Sequence, residues 1–174
     1  MKTSLKIFIF SCIACLFAEI SSAQRTASAS VAATIVTPIG IEKVPDGDLN
    51  FGNIAAGTSS GIIVLSTNGV RRAEGGATLP STEGTISPAE FIVTGEGSYY
   101  FSITLPSDPI TLINTENSAE CMMVDSFTSS PENAGTLSGG KQTVKVGASL
   151  SINPAQSPGL YKSSTPFNVT VNYN

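Results

Sequence analysis

The chain has 174 residues, nine Lys and Arg against thirteen Asp and Glu, no histidine and no tryptophan. A net charge of −4 without a basic stripe leaves phosphate-backbone binding no footprint, so no nucleic-acid partner is expected. The missing histidine removes Ser-His-Asp and Cys-His catalysis, imidazole zinc sites and the usual proton shuttle at neutral pH.

The first element is a leader. Lys2 and Lys6 form a short basic region, residues 7–17 are almost wholly apolar, and Ser21-Ser22-Ala23 offers small residues for cleavage before Gln24. This pattern predicts a cleaved signal peptide over 1–23. The apolar run falls short of the roughly twenty residues that cross a bilayer, and Glu19 interrupts its extension. A second reading, lipoprotein processing at Cys15 after Cys12-Ile13-Ala14, stays open, although the run continues through Leu16-Phe17-Ala18. Residues 24–174 are then expected to be a single exported domain with no membrane span, in the periplasm, on the outer surface or outside the cell. A domain of that size buries roughly 70% of its unfolded-chain surface, so it needs no covalent staples. Only Cys121 remains in it, which excludes an internal disulfide; beside Met122 and Met123 it reads as a buried small hydrophobe.

From residue 24 onward the text is all-β: short β-prone runs broken by Gly, Pro, Asn and Ser, with no long helix-period segment. Strands are predicted at 29–36, 48–51, 61–66, 76–79, 90–94, 99–105, 121–128, 142–146, 149–152 and 165–173, and about eight to ten short strands suit an antiparallel sandwich. Across and just before the first, Ala27, Ala29, Val31, Ala33 and Ile35 alternate with Ser28, Ser30, Ala32 and Thr34. Asp46-Gly47-Asp48-Leu49-Asn50 spaces oxygen side chains like half of a calcium loop, but Phe51 and Gly57 stand where that loop needs Gly and Glu. Pro45-Asp46-Gly47 therefore reads as a turn, and no metal or cofactor is expected. Arg71-Arg72 reads as part of a solvated turn. Tyr99, Phe101, Ile103 and Leu105 alternate with polar residues, giving a strand with one apolar face, and Gly95-Glu96-Gly97-Ser98 before it reads as a hairpin loop. Residues 80–88 and 129–140 read as mobile surface loops. Most aromatics fall at alternating positions that a core would claim. Asn168-Val169-Thr170 matches a glycosylation acceptor inside the last strand, where Phe167, Val169, Val171 and Tyr173 form an apolar face. Twelve carboxylates follow residue 23, but the sequence places no two of them across a cleft, and an enzyme is not expected.

Five segments carry a resemblance: Leu49-Asn50-Phe51-Gly52-Asn53-Ile54, Ala89-Glu90-Phe91-Ile92-Val93-Thr94-Gly95, Val146-Gly147-Ala148-Ser149-Leu150, Pro158-Gly159-Leu160-Tyr161 and Val169-Thr170-Val171-Asn172-Tyr173-Asn174. In this order they resemble the bacterial secreted family named domain of unknown function 4402 (DUF4402), across almost all of 24–174. That family has no assigned activity; the resemblance implies an immunoglobulin-like sandwich exported by Gram-negative bacteria. A more distant resemblance is to chaperone-usher pilins, whose subunits end in an alternating strand with an aromatic next to last, as Tyr173 is here. It implies a sandwich lacking one strand, filled by a periplasmic chaperone or by the extension of a like subunit. Ala27, Ala29, Val31, Ala33 and Ile35 would then form a donor strand, and Phe167, Val169, Val171 and Tyr173 an assembly or chaperone-docking strand. The same Ala27 to Ile35 segment also reads as the domain's own first strand. The resulting expectation is a non-enzymatic secreted structural or adhesive protein, a fimbrial subunit assembled through its terminal strands. The alternative is a free-standing surface module that binds glycan or protein through 80–88 and 129–140.

Overall fold

The computed structural model describes residues 24–174, so the leader over 1–23 and Cys15 lie outside the described residues. Residues 24–35 belong to one unit and Val36–Asn174 to another. Residues 24–35 form no strand, and Val31 and Ile35 are 97% and 98% exposed. The predicted strand at 29–36 is thus not formed. Its alternating face consists of Ala apart from Val31 and Ile35, too little apolar area to hold it in a sheet unaided.

The second unit is an antiparallel sandwich, and among the described residues there is no helix. Its strands are β1 (Gly40–Lys43), β2 (Asn50–Phe51), β3 (Ala55–Leu65), β4 (Arg71–Thr78), β5 (Ile86–Ser87), β6 (Ala89–Thr94), β7 (Tyr100–Thr104), β8 (Ile110–Asn114), β9 (Cys121–Ser130), β10 (Ala134–Thr136), β11 (Lys141–Ile152), β12 (Tyr161–Ser163) and β13 (Thr170–Tyr173). The large sheet runs β1-β6-β11-β9-β8-β12, with β3 and β4 joined to it through β11. A three-stranded sheet, β10-β7-β13, faces part of it, and β2 and β5 form a small ribbon.

β11 organises the unit. Its first half pairs with β6, from Lys141 opposite Thr94 to Val146 opposite Ala89, and its second half pairs with β3, from Ala148 opposite Leu65 to Ile152 opposite Gly61. The exchange happens at Gly147, where a Cβ would collide with the Leu65 carbonyl oxygen, and a bulge against β9 follows between Gly147 and Ser149. Side chains keep one parity throughout. Val144 and Val146 enter a core with Val93, Phe101, Ile103, Leu137 and Val171, whereas Ala148, Leu150 and Ile152 enter a second core with Phe51, Ile63, Leu65 and Val124. Leu49 and Phe127 pack against both.

Several sequence expectations change. The two strands at 142–146 and 149–152 are one, because β11 runs through Gly147 with its ladders and side-chain parity kept, the extra residue of the bulge lying in β9 near Ser126. Gly95-Glu96-Gly97-Ser98 is not a hairpin loop: β6 and β7 lie in different sheets, and the segment crosses between them. Residues 80–88 and 129–140 are not free loops. The first contains β5, and Asn53 donates from its backbone N–H to the Glu83 carbonyl at 2.6 Å; the second contains β10, paired with β7. Arg71 is not in a solvated turn either. Its side chain is 2% exposed, and Nη1 donates to the carbonyls of Phe51 at 2.7 Å and Asn53 at 2.8 Å, tying β4 to the chain around Gly52. Cys121 is exposed, since the inward positions at that end of β9 are Met122 and Val124. The strand predicted at 165–173 is a ladder only over Thr170–Tyr173. Thr170 faces Thr104, the last residue of β7, and Pro106 just beyond has no N–H to extend the pairing.

Leu150 is 1% exposed at the junction of β11 with β3 and β9. Leu150→Ala is expected to destabilise the domain by about 2–5 kcal/mol, read as a lowered urea midpoint with unchanged slope.

Candidate functional site

The small sheet ends at β13, which among the described residues pairs with β7 alone and leaves its other edge without a ladder. Its register fixes which backbone groups that edge presents. Asn174 donates to the Tyr100 carbonyl at 3.2 Å, so Asn174, Asn172 and Thr170 turn their backbone groups toward β7. Val171 and Tyr173 therefore direct theirs to the open side. β1, at the edge of the large sheet, presents the matching lip. Val44 donates to Glu90 at 2.9 Å, which places the Ile41 backbone groups on the side away from β6.

Behind this edge lies a set of half-buried apolar side chains. The predicted face is realised: Val171 is buried, Phe167, Val169 and Tyr173 are half-buried, and Asn168, Thr170 and Asn172 are exposed. The Phe167 ring lies 6.2 Å from Phe91 and 5.2 Å from Phe127, centroid to centroid. Beside it opens a cavity of about 320 Å³ lined by Leu105, Ile110 and Phe167, with Ser107, Asp108 and Asn168 among its polar residues.

The opposite end of the edge is fastened. The Tyr173 hydroxyl accepts the Glu96 backbone N–H at 2.6 Å and donates to the Thr37 carbonyl at 2.7 Å. Thr37 in turn donates its N–H to Glu96 Oε2 at 2.9 Å, closing a three-residue clasp. These bonds from Thr37 hold the Glu96 carboxyl below its ordinary value of 4.5. Tyr99 packs edge-on against the Tyr173 ring at 5.5 Å.

Phe167, Val169, Val171 and Tyr173 are thus brought together on one face. Ala27, Ala29, Val31, Ala33 and Ile35 are placed in the separate unit, exposed and in no strand. The sequence reading missed Thr37, Glu96 and all of β1. Its one signal was the alternation Ile39-Gly40-Ile41-Glu42, shortened by Pro38. The Asp46 segment is a turn, with Gly47 donating to Val44 at 2.9 Å, and Asp48 pairs with Lys43 at 2.8 Å.

A family model described as Domain of unknown function (DUF4402) matches residues 39–173, from the residue before β1 to the last residue of β13. The chain belongs to this family. No curated protein matches it. The DUF4402 match takes in both lips of the open edge and begins after the exposed segment 24–35.

Tyr173→Phe removes both hydroxyl bonds of the clasp and is expected to lower stability by about 1–2 kcal/mol in chemical denaturation. Glu96 has a depressed folded-state value, so its contribution is present above 4.5 and is lost as pH falls through that lower value. At pH 7 the parent should unfold at higher urea than Glu96→Gln, and the gap should close on acidification below 4.5.

Proposed function

We propose that this DUF4402 protein is an exported, non-enzymatic structural subunit that assembles with like subunits, or engages a periplasmic chaperone, by strand addition at the open edge of β13. The observation that carries this reading is an edge with unsatisfied backbone groups above half-buried aromatics. Such an edge is normally blunted by charge, proline or a covering element. Here the chain leaves Val171 and Tyr173 open and keeps only Tyr173 clasped. A strand laid along it would gain main-chain hydrogen bonds of about 0.5–1.5 kcal/mol each and cover Phe167 and Val169.

The exposed segment 24–35 supports the same reading from the other side. An alternating run that folds into no sheet of its own is suited to completing another. Export is supported by Lys2, Lys6, the apolar run and Ser21-Ser22-Ala23.

The purified chain from residue 24 is expected to form a ladder of species that survives unheated detergent gels. Deletion of 24–35 should abolish the ladder and leave the far-UV spectrum and urea midpoint unchanged. A strictly monomeric chain whose deletion variant unfolds would count against assembly. Glycan-array binding lost on replacing 80–88 or 129–140, without any ladder, would favour a surface module.

A further inference from the structure

The two sheets of the sandwich turn unlike faces to solvent. In the small sheet, alternation buries Phe101, Ile103 and Val171 and turns the residues between them outward. The registers set these side chains in rows. Tyr100 stands between Thr136 and Asn174, Ser102 between Ala134 and Asn172, and Thr104 beside Thr170.

No charge stands among them. Val36–Asn174 carries twelve acidic and six basic residues, and the outer face of the large sheet takes Glu42, Glu90, Lys141, Lys145, Arg72 and Glu74. The small sheet takes hydroxyls, amides and one aromatic ring. Tyr100 is 67% exposed, the most exposed aromatic among the described residues. A bare ring among groups that both donate and accept hydrogen bonds suits a ligand that is uncharged, rich in hydroxyls and apolar on one side. That is the chemistry of a sugar ring. The far end of the face is hollow: the cavity of about 320 Å³ is lined by Thr104 and Thr170 of the last row, with Ser107, Asp108 and Asn168 beyond them. Tyr100 and Thr104 lie about 13 Å apart along β7, the length of a short oligosaccharide. Charge returns only past the strand ends, as at Asp108 and at Glu132 before β10.

We infer that the outer face of β10, β7 and β13 binds a neutral oligosaccharide, with one sugar ring stacked on Tyr100 and a terminal unit in the cavity beside Thr104 and Thr170. The negative face of the Tyr100 ring meets the C–H groups on one side of a pyranose. Ser102 donates to the Asn172 carbonyl at 3.3 Å, which leaves its hydroxyl oxygen and the Asn172 amide to meet hydroxyls along the chain. In the cavity the Asp108 carboxylate offers two acceptor oxygens to neighbouring hydroxyls, while Leu105 and Phe167 supply apolar surface. An acidic sugar would meet that carboxylate with no cation beside it, so Asp108 selects against one. Side chains on this face point perpendicular to the backbone groups of the β13 edge, so sugar binding is independent of strand addition.

Saturation-transfer NMR and calorimetric titration of the chain from residue 24 with neutral trisaccharides of glucose, mannose, galactose and N-acetylglucosamine test this. At least one is expected to bind with Kd below about 1 mM, and Tyr100→Ala to weaken it at least about tenfold. Tyr100→Phe keeps the ring and should change Kd by less than about threefold. Asn172→Arg should abolish binding, whereas Thr143→Arg, on the outer face of the large sheet, should leave it intact; urea midpoints should match the parent throughout. Kd above about 1 mM for every trisaccharide, or binding that survives either Tyr100→Ala or Asn172→Arg, overturns the inference. A loss in Tyr100→Phe as large as in Tyr100→Ala overturns ring stacking, and sialyllactose bound as tightly as the neutral sugar overturns the neutral class. The Tyr100→Ala chain is expected to form the same detergent-resistant ladder as its parent. Absent sugar binding with a ladder present therefore strikes this face alone, and sugar binding without a ladder strikes only assembly.

Discussion

The domain depends on β11 having two neighbours in succession along one of its edges. A strand that pairs with β6 and then with β3 joins two cores that would otherwise be separate small sheets, each marginal alone. The junction requires Gly147, because the Leu65 carbonyl occupies the space of a side chain there. The constancy of side-chain parity across it keeps Val144, Val146, Ala148, Leu150 and Ile152 on one continuous apolar surface.

The open edge follows from the same arrangement. The large sheet consumes most of the pairing capacity and leaves only β10, β7 and β13 for the opposing layer. Three short strands cannot cover a face of that width, and Phe91, Phe127 and Phe167 remain half-buried where a fourth would lie. Their mutual edge-on and tilted packing stabilises the uncovered floor without a strand above it.

Strands with large alternating residues were legible in the sequence: Phe101 and Ile103 in β7 and Val171 in β13 occupy the core as their spacing predicts. Strands that are short, or whose apolar residues are few, were not. β1, β5, β8, β10 and β12 have three to five residues or fewer, and their pairing is decided by distant partners such as Thr94 for Gly40. Burial of Arg71 was equally invisible, because it answers carbonyls of Phe51 and Asn53 that only the fold brings near. The apolar face of the edge could be read from residues 167–173, but its openness could not. Whether a strand has a neighbour is a property of topology, and the crossing at 95–98 that sends β7 into the other sheet looks locally like a hairpin turn.

The clasp has a mechanical meaning. Tension along the chain from residue 35 reaches Thr37 before it reaches β1, and there it divides among the Tyr173 hydroxyl, the Glu96 carboxylate and the backbone that continues to Gly40. Load is handed across the sandwich to β13, and through Glu96 to the segment joining β6 and β7, instead of peeling β1 from β6 one hydrogen bond at a time. A tyrosine hydroxyl at the end of a four-residue strand thus sets where the domain yields when it is pulled.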